Sequence, residues 1–213
     1  MQSPSFILNF NATTKYRVSN VQLDMPYTRD ELLTELENEE WVSPGNINPL
    51  GVDLWHSTRF KCMHPKAEHT KLTALTNFFN SNHAKHQLVS WLFTTAPALS
   101  FEYDWNVDTM CDHCLLHGEI TKDSPGFVNV MHTDYRKLVA TGMIYLTERD
   151  DPNLSTYFYD TMQRDNPVRM PTNFGHGWVH SNGNDTWHEG WNKTPDMRYS
   201  ILLGLTMNVT PVQ

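Results

Sequence analysis

The sequence predicts an α+β protein, mainly β, in which N-terminal helices pack on one face of an antiparallel sandwich or barrel. Three observations carry this expectation. The 213 residues are enough to bury one sizeable core. The first half repeats apolar residues at helical intervals, while the second half breaks into short alternating or apolar runs separated by Asp, Asn, Pro and Gly. Strands so short and closely spaced leave no room for the crossover helices of a parallel sheet.

Taken in chain order, the first helix is announced by Thr28 and Glu31, which have capping-box spacing ahead of Leu32, Leu33, Leu36 and Trp41. Pro44, Gly45 and Pro49 then punctuate a loop. A second helical stretch runs from about Glu68 to Phe93, with Leu72, Leu75, Phe78 and Phe79 on one stripe. Ser81-Asn82 breaks it before Leu88, Trp91 and Leu92 resume, and Pro97 closes it. Strand-like runs begin at Phe127, Leu138, Ser155, Phe174 and Arg198. No repeat, low-complexity tract or linker divides the chain. The expectation is a single domain over 1–213, with 1–100 mostly helical and 101–213 forming the β core.

Composition narrows the function. Hydrophobic residues make 39% and aromatics 12%, which is globular and not disordered. Sixteen Lys and Arg against 24 Asp and Glu give a formal charge of -8, which disfavours a nucleic-acid partner. No apolar run is long enough to span a membrane. The opening MQSPSFILNFNATTKY has neither a charged start nor a long apolar stretch, so no secretory leader is read there. Three cysteines are too few for a disulfide framework, and the chain reads as intracellular and cytoplasmic. On that reading the Asn-x-Thr sequons at Asn11, Asn184, Asn192 and Asn208 are chance matches.

Eleven histidines direct attention to metals. In a strand, residues two apart face the same way, so His-x-Asp or His-x-Glu can offer two ligands to one ion. Random placement gives roughly one such pair in a chain of this composition. The chain has two, His117-Gly118-Glu119 and His132-Thr133-Asp134. The residues downstream of each pair separate them. His188 lies 54 positions after Asp134, and Arg198 lies 10 positions further on at the head of the last strand, with Ser200 facing the same way. After Glu119 the only His at a similar distance is His176, with no Arg at the corresponding place beyond it. His132, Asp134, His188 and Arg198 are therefore the preferred constellation. Most other histidines, His56, His64, His69, His83 and His86 among them, read as ordinary core or surface residues.

His132-Thr133-Asp134, the run Thr141 to Leu146 (TGMIYL), NGNDTWHEG with His188, and Arg198-Tyr199-Ser200 together resemble the Fe(II)/2-oxoglutarate-dependent dioxygenases, closest to their prolyl 4-hydroxylase-like branch. The resemblance covers roughly Phe127 to Asn208. It implies a double-stranded β-helix, or jelly roll, flanked by helices. It also implies Fe(II) on His132, Asp134 and His188, with 2-oxoglutarate and O2 as cosubstrates. Arg198 would pair with the distal carboxylate of 2-oxoglutarate, and Tyr145 and Ser200 would stand beside it. The substrate would be a small molecule or a protein side chain, hydroxylated as 2-oxoglutarate becomes succinate and CO2. Where the family often has a Gly-Gly pair before the fourth strand, this chain has Asn153-Leu154-Ser155-Thr156.

Three alternatives stand beside this reading. The fold could serve as a non-catalytic, cupin-like metal-binding or binding module. Cys111, Cys114 and His117, with His113 nearby, have the spacing of half a zinc module. His176 and His180 share a strand face, which makes His180 a rival distal ligand, and Trp178, Trp187 and Trp191 are either core or part of a substrate mouth.

Overall fold

A computed structural model describes residues 5–11, 18–42, 59–62, 64–95, 105–134, 138–147, 149–181 and 186–207. Pro44, Gly45, Pro49, His56, Pro97 and the sequons at Asn184 and Asn208 lie outside them.

Helix α1 (Arg29–Glu37) starts where the sequence places it. Thr28 is extended, its Oγ1 accepts from the Glu31 N–H, and the Glu31 carboxylate accepts in return from the Thr28 N–H at 2.8 Å. The long helical stretch is two helices, α2 (Thr70–Phe79) and α3 (Asn82–Thr95). Ser81 makes the break, its Oγ donating to the Phe78 carbonyl at 2.6 Å and accepting from the Ala84 N–H at 3.2 Å. One side chain thus ends a helix and caps the next. A short helix, α4 (Val107–His113), is capped by Asn106.

Among the described residues eleven strands form two antiparallel sheets. They are β1 (Ile7–Phe10), β2 (Val18–Asp24), β3 (Arg59–Cys62), β4 (Cys114–Asp123), β5 (Val128–His132), β6 (Leu138–Tyr145), β7 (Thr156–Tyr159), β8 (Val168–Arg169), β9 (His176–Ser181), β10 (Trp187–Trp191) and β11 (Arg198–Met207). The major sheet has the order β1-β2-β9-β6-β11-β4-β3 and the minor sheet β5-β10-β7-β8. This is the double-stranded β-helix. The part from 1 to 100 is not helical alone, since it supplies β1, β2 and β3 to the major sheet.

Alternation along the strands sorts side chains between two cores. On the outer face of the major sheet, Ile120, Ile144, Ile201 and Leu203 pack against Leu32, Leu36, Leu72, Leu75 and Phe79 of α1 and α2. Each fully buried leucine contributes about 1.5–3 kcal/mol. Helix α2 lies so close to β4 that a methyl group on Gly118 would sit 2.3 Å from Cβ of Phe79. Between the sheets, Met143, Tyr145 and Trp178 of the major sheet meet Phe158 and Met170 from the minor side. This inner space narrows around a cavity. Ahead of β7, where the resembling family often has its glycine pair, a 3₁₀ turn (Pro152–Leu154) is capped by Asp151. No helix among the described residues is long and apolar enough to cross a membrane.

Candidate metal centre and its cavity

Strand pairing places the first ligands. His132 on β5 and His188 on β10 are direct partners in the minor sheet, with ring centroids 4.2 Å apart. Asp134, two residues beyond His132, returns its carboxylate to the same point: Oδ1 lies 3.7 Å from Nε2 of His132, and Oδ2 lies 3.8 Å from Nε2 of His188. One ligand atom from each of the three lies within 4.8 Å of the others, as a single ion would require. His132, Asp134 and His188 are the one such group among the described residues.

The imidazoles are oriented by the backbone. Nδ1–H of His132 donates to the Val130 carbonyl at 2.7 Å, and Nδ1–H of His188 donates to the Thr186 carbonyl at 3.0 Å. Both rings therefore turn the lone pair of Nε2 towards Asp134, the tautomer a metal ligand needs. Burial pushes His188 down to about 3, which keeps it neutral, although Asp134 pulls the other way. Burial also works to lower His132, but the Asp134 bond outweighs it and raises this histidine. Burial alone would raise Asp134; its bonds to His132 and His180 outweigh that and hold it far below the usual carboxylate range. Once His132 gives up its Nε2 proton to an incoming ion, two nitrogen donors and a carboxylate fit a divalent ion of the Fe(II) type.

The set opens on a cavity of about 300 Å³. Trp178, Met143, Leu138 and Leu202 give it apolar walls, and the Trp178 Nε1–H is buried with no hydrogen-bond partner among the described residues. Arg198 lines the cavity. Register explains what it meets there: Asp123 on β4 stands opposite Arg198 on β11 and also opposite Arg59 on β3. Asp123 accepts from Nε of Arg59 at 2.6 Å and from Nε of Arg198 at 2.9 Å. Arg198 Nη1 donates to the carbonyls of Leu154 at 2.8 Å and Trp191 at 2.9 Å. Burial would raise Asp123, but the two arginines dominate and hold it below its ordinary value. Two guanidiniums and one carboxylate leave this trio a formal charge of +1. Phe127 lies beneath both arginines, its ring centroid 4.3 Å from Arg59 Cζ and 5.2 Å from Arg198 Cζ.

The two other residues expected at the floor are behind it. Tyr145 is fully buried with its hydroxyl 2.9 Å from Oγ1 of Thr156, which lines the cavity. Ser200 is fully buried with Oγ 2.9 Å from Oγ1 of Thr121. The rival pair, His117 and Glu119, lines the same cavity but stands outside the three-ligand group, and Glu119 pairs with Lys61 at 2.5 Å. His180 also stands outside that group; it hydrogen-bonds Asp134 at 2.8 Å. Cys111 sits in α4 and Cys114 opens β4 in the core, where burial pushes its thiol up to about 11, against the thiolate a zinc ion binds. Trp191 stacks on Tyr157, whereas Trp178 is the cavity tryptophan. Asn192 of the third sequon is wholly buried, donating to the carbonyls of Asp123 and Asp196.

No family sequence model matches the chain. No curated protein matches it in sequence. Solved structures do match in fold. A Pseudomonas putida prolyl-4-hydroxylase superposes with a TM-score of 0.57 at 13% identity, over 91% of this chain and 94% of that one. The non-heme alpha-ketoglutarate-dependent epimerase SnoN of nogalamycin biosynthesis gives 0.54 at 15% identity, over 90% and 78%. A viral collagen prolyl hydroxylase from Paramecium Bursaria Chlorella virus-1 gives 0.50 at 10% identity, over 90% and 96%. The resemblance read from the motifs is thus matched by the fold: the chain is built like the 2-oxoglutarate and Fe(II) oxygenases, prolyl 4-hydroxylases among them.

Proposed function

We propose that the chain is a cytoplasmic Fe(II)- and 2-oxoglutarate-dependent dioxygenase that hydroxylates a small molecule or a protein side chain. The observation that carries this is the meeting, in one cavity, of the His132/Asp134/His188 set and the guanidiniums of Arg59 and Arg198, which share the buried Asp123 behind them. When bound, Fe(II) supplies the coordination site at which O2 oxidises 2-oxoglutarate to succinate and CO2 and the substrate is hydroxylated.

The chain's own part is to bind, orient and exclude. His132, Asp134 and His188 would hold the ion, and the cavity they open on would admit the cosubstrates. The positive charge that Arg59 and Arg198 bring to the cavity suits the distal carboxylate of 2-oxoglutarate. Asp123 holds the Arg198 guanidinium in place. Leu138, Met143 and Leu202 form the apolar wall that keeps water from the reacting centre and seats the substrate's C–H bond.

A second reading, a metal-binding module of the same fold without turnover, draws on how fully Arg198 is engaged by Asp123, Leu154 and Trp191. One experiment separates the two. The iron-loaded protein is titrated anaerobically with 2-oxoglutarate while visible absorption is followed, and succinate is then measured after O2 is admitted. A charge-transfer band and then succinate support the oxygenase. Bound iron with neither band nor succinate leaves the binding module, and a screen for mass gain of one oxygen then has no purpose.

A further inference from the structure

The minor sheet supplies the two candidate histidines, but the carboxylate between them is not on a strand. Asp134 lies beyond the end of β5, where no ladder bond fixes its side chain. The contact that fixes it comes from the opposite sheet. His180 on β9 of the major sheet places Nε2 2.8 Å from Oδ2 of Asp134. Its Nδ1 faces the Ser181 carbonyl at the longer distance of 3.2 Å, and an ionised carboxylate only accepts, so Nε2–H is the donor.

His180 is held more firmly than the residue it touches. It is fully buried, between β6 and β2 in the register, opposite Thr141 and Val18. Its ring stacks on Trp178 at 5.6 Å with an interplanar angle of 26°, and meets Phe158 edge-on at 5.4 Å. The His188 ring is 5.3 Å away. A rotamer locked by packing on a central strand thus reaches across to a ligand on a loop.

We propose that His180 is a positioning residue of the metal centre, its Nε2–H bond to Oδ2 of Asp134 holding the carboxylate in the orientation the ion requires. This rests on the reading of His132, Asp134 and His188 as metal ligands. Outer partners of this kind fix the rotation of a ligating group and raise the affinity of the site without touching the ion. The bond also takes up one lone pair of Oδ2, which leaves fewer orientations open to the carboxylate. His180 is then neither the distal ligand nor a bystander.

The test uses the full chain and Fe(II) alone, titrated anaerobically, with apo-protein melting recorded beside it. His180→Phe keeps a ring against Trp178 but removes the N–H, and its Fe(II) affinity should fall about 10–100-fold. His180→Gln can put an amide N–H where Nε2 was, and should recover most of that loss. His180→Asn puts the amide where Nδ1 was, and should not. Where His180→Phe fails to fold, the Gln and Asn pair decides by itself, Gln binding Fe(II) clearly more tightly than Asn. Asp134→Ala serves as control for the underlying reading and should bind no Fe(II). The proposal is overturned if His180→Phe binds within about threefold of the parent while Asp134→Ala has lost the ion. It is equally overturned if His180→Gln is as weak as His180→Phe or His180→Asn, since the ring nitrogen would then be a ligand itself or the whole ring a matter of packing. Retention of Fe(II) by Asp134→Ala overturns the ligand assignment instead.

Discussion

Arg198 and Asp123 face each other across β11 and β4, Nε 2.9 Å from Oδ2, and both side chains are almost wholly removed from water. Arg59 closes the same carboxylate from β3. Three consecutive strands of the major sheet, one of them from the N-terminal part, are thereby tied at the cavity floor. A buried pair of this kind stabilises little compared with an apolar replacement, but breaking it leaves a charge stranded.

That arrangement predicts a pH dependence. Asp123 has a folded pKa below its ordinary value of 3.8, so its contribution is present above the unfolded value and lost as pH falls towards the folded one. Asp123→Asn, which cannot titrate, should be less stable than the parent at pH 7. The gap should narrow by about 1.4 kcal/mol per pH unit below about pH 4. Denaturant midpoints measured from pH 7 to pH 3 check this, and a gap that stays constant would show that Asp123 is not held ionised by the two arginines.

Gly118 is set by helix packing and not by chemistry. A Cβ there would collide with Cβ of Phe79, which belongs to the backbone-proximal part of α2 and cannot swing away. Gly118→Ala should cost about 1–3 kcal/mol in stability by pushing α2 off β4, with Fe(II) affinity unchanged. Equal denaturation midpoints for variant and parent would mean that α2 yields freely.

The candidate ligand set was legible because each of its members carries a local signal. His132 and Asp134 share a strand-period motif, and His188 and Arg198 come after them at telling intervals. The helices were legible from the Thr28/Glu31 box and the Ser81 break. What escaped depends on register between distant strands. Arg59 begins a four-residue strand with no motif of its own, and only its pairing with β4 brings it to Asp123. Strand β4 itself hid behind the cysteine and histidine spacing of Cys111, Cys114 and His117. His180 was visible as a strand-face histidine, but its partner lies across the barrel, where no sequence interval points. The glycine pair looked for before β7 is replaced by a 3₁₀ turn whose Leu154 carbonyl receives Arg198.

Metal binding should show as stability. Anything that binds the folded state alone stabilises it by about 2.7 kcal/mol at a free concentration a hundred times its Kd. For a chain of this size that is a rise of about 5–10 °C in melting temperature. The parent should show it with Fe(II) under anaerobic conditions, and His132→Ala, Asp134→Ala and His188→Ala should not. A parent that melts at one temperature with and without Fe(II) would remove the basis for a metal centre.

The oxygenase reading stands or falls on whether the positive floor takes 2-oxoglutarate. Arg198→Ala is a poor instrument for this, because it strips Asp123 of one partner and orphans the carbonyls of Leu154 and Trp191. Breaking a buried pair costs about 3–5 kcal/mol, enough to unfold many domains of modest stability. Arg198→Lys keeps the charge against Asp123 but not the fork, so the chain should fold while losing at least one charge-assisted bond to the cosubstrate. Such a bond contributes about 1.5–3 kcal/mol, which makes 2-oxoglutarate bind roughly tenfold more weakly or worse. Fe(II) affinity should stay within about threefold of the parent, since Arg198 touches none of His132, Asp134 or His188. Arg59→Lys should weaken 2-oxoglutarate in the same direction, because it loosens Asp123 and with it the guanidinium of Arg198. Titration of the iron-loaded variants, monitored through the visible band, reads all of this. Parent-like 2-oxoglutarate affinity in both lysine variants would make the trio a structural clasp between β3, β4 and β11, and the non-catalytic reading of the cavity would take its place.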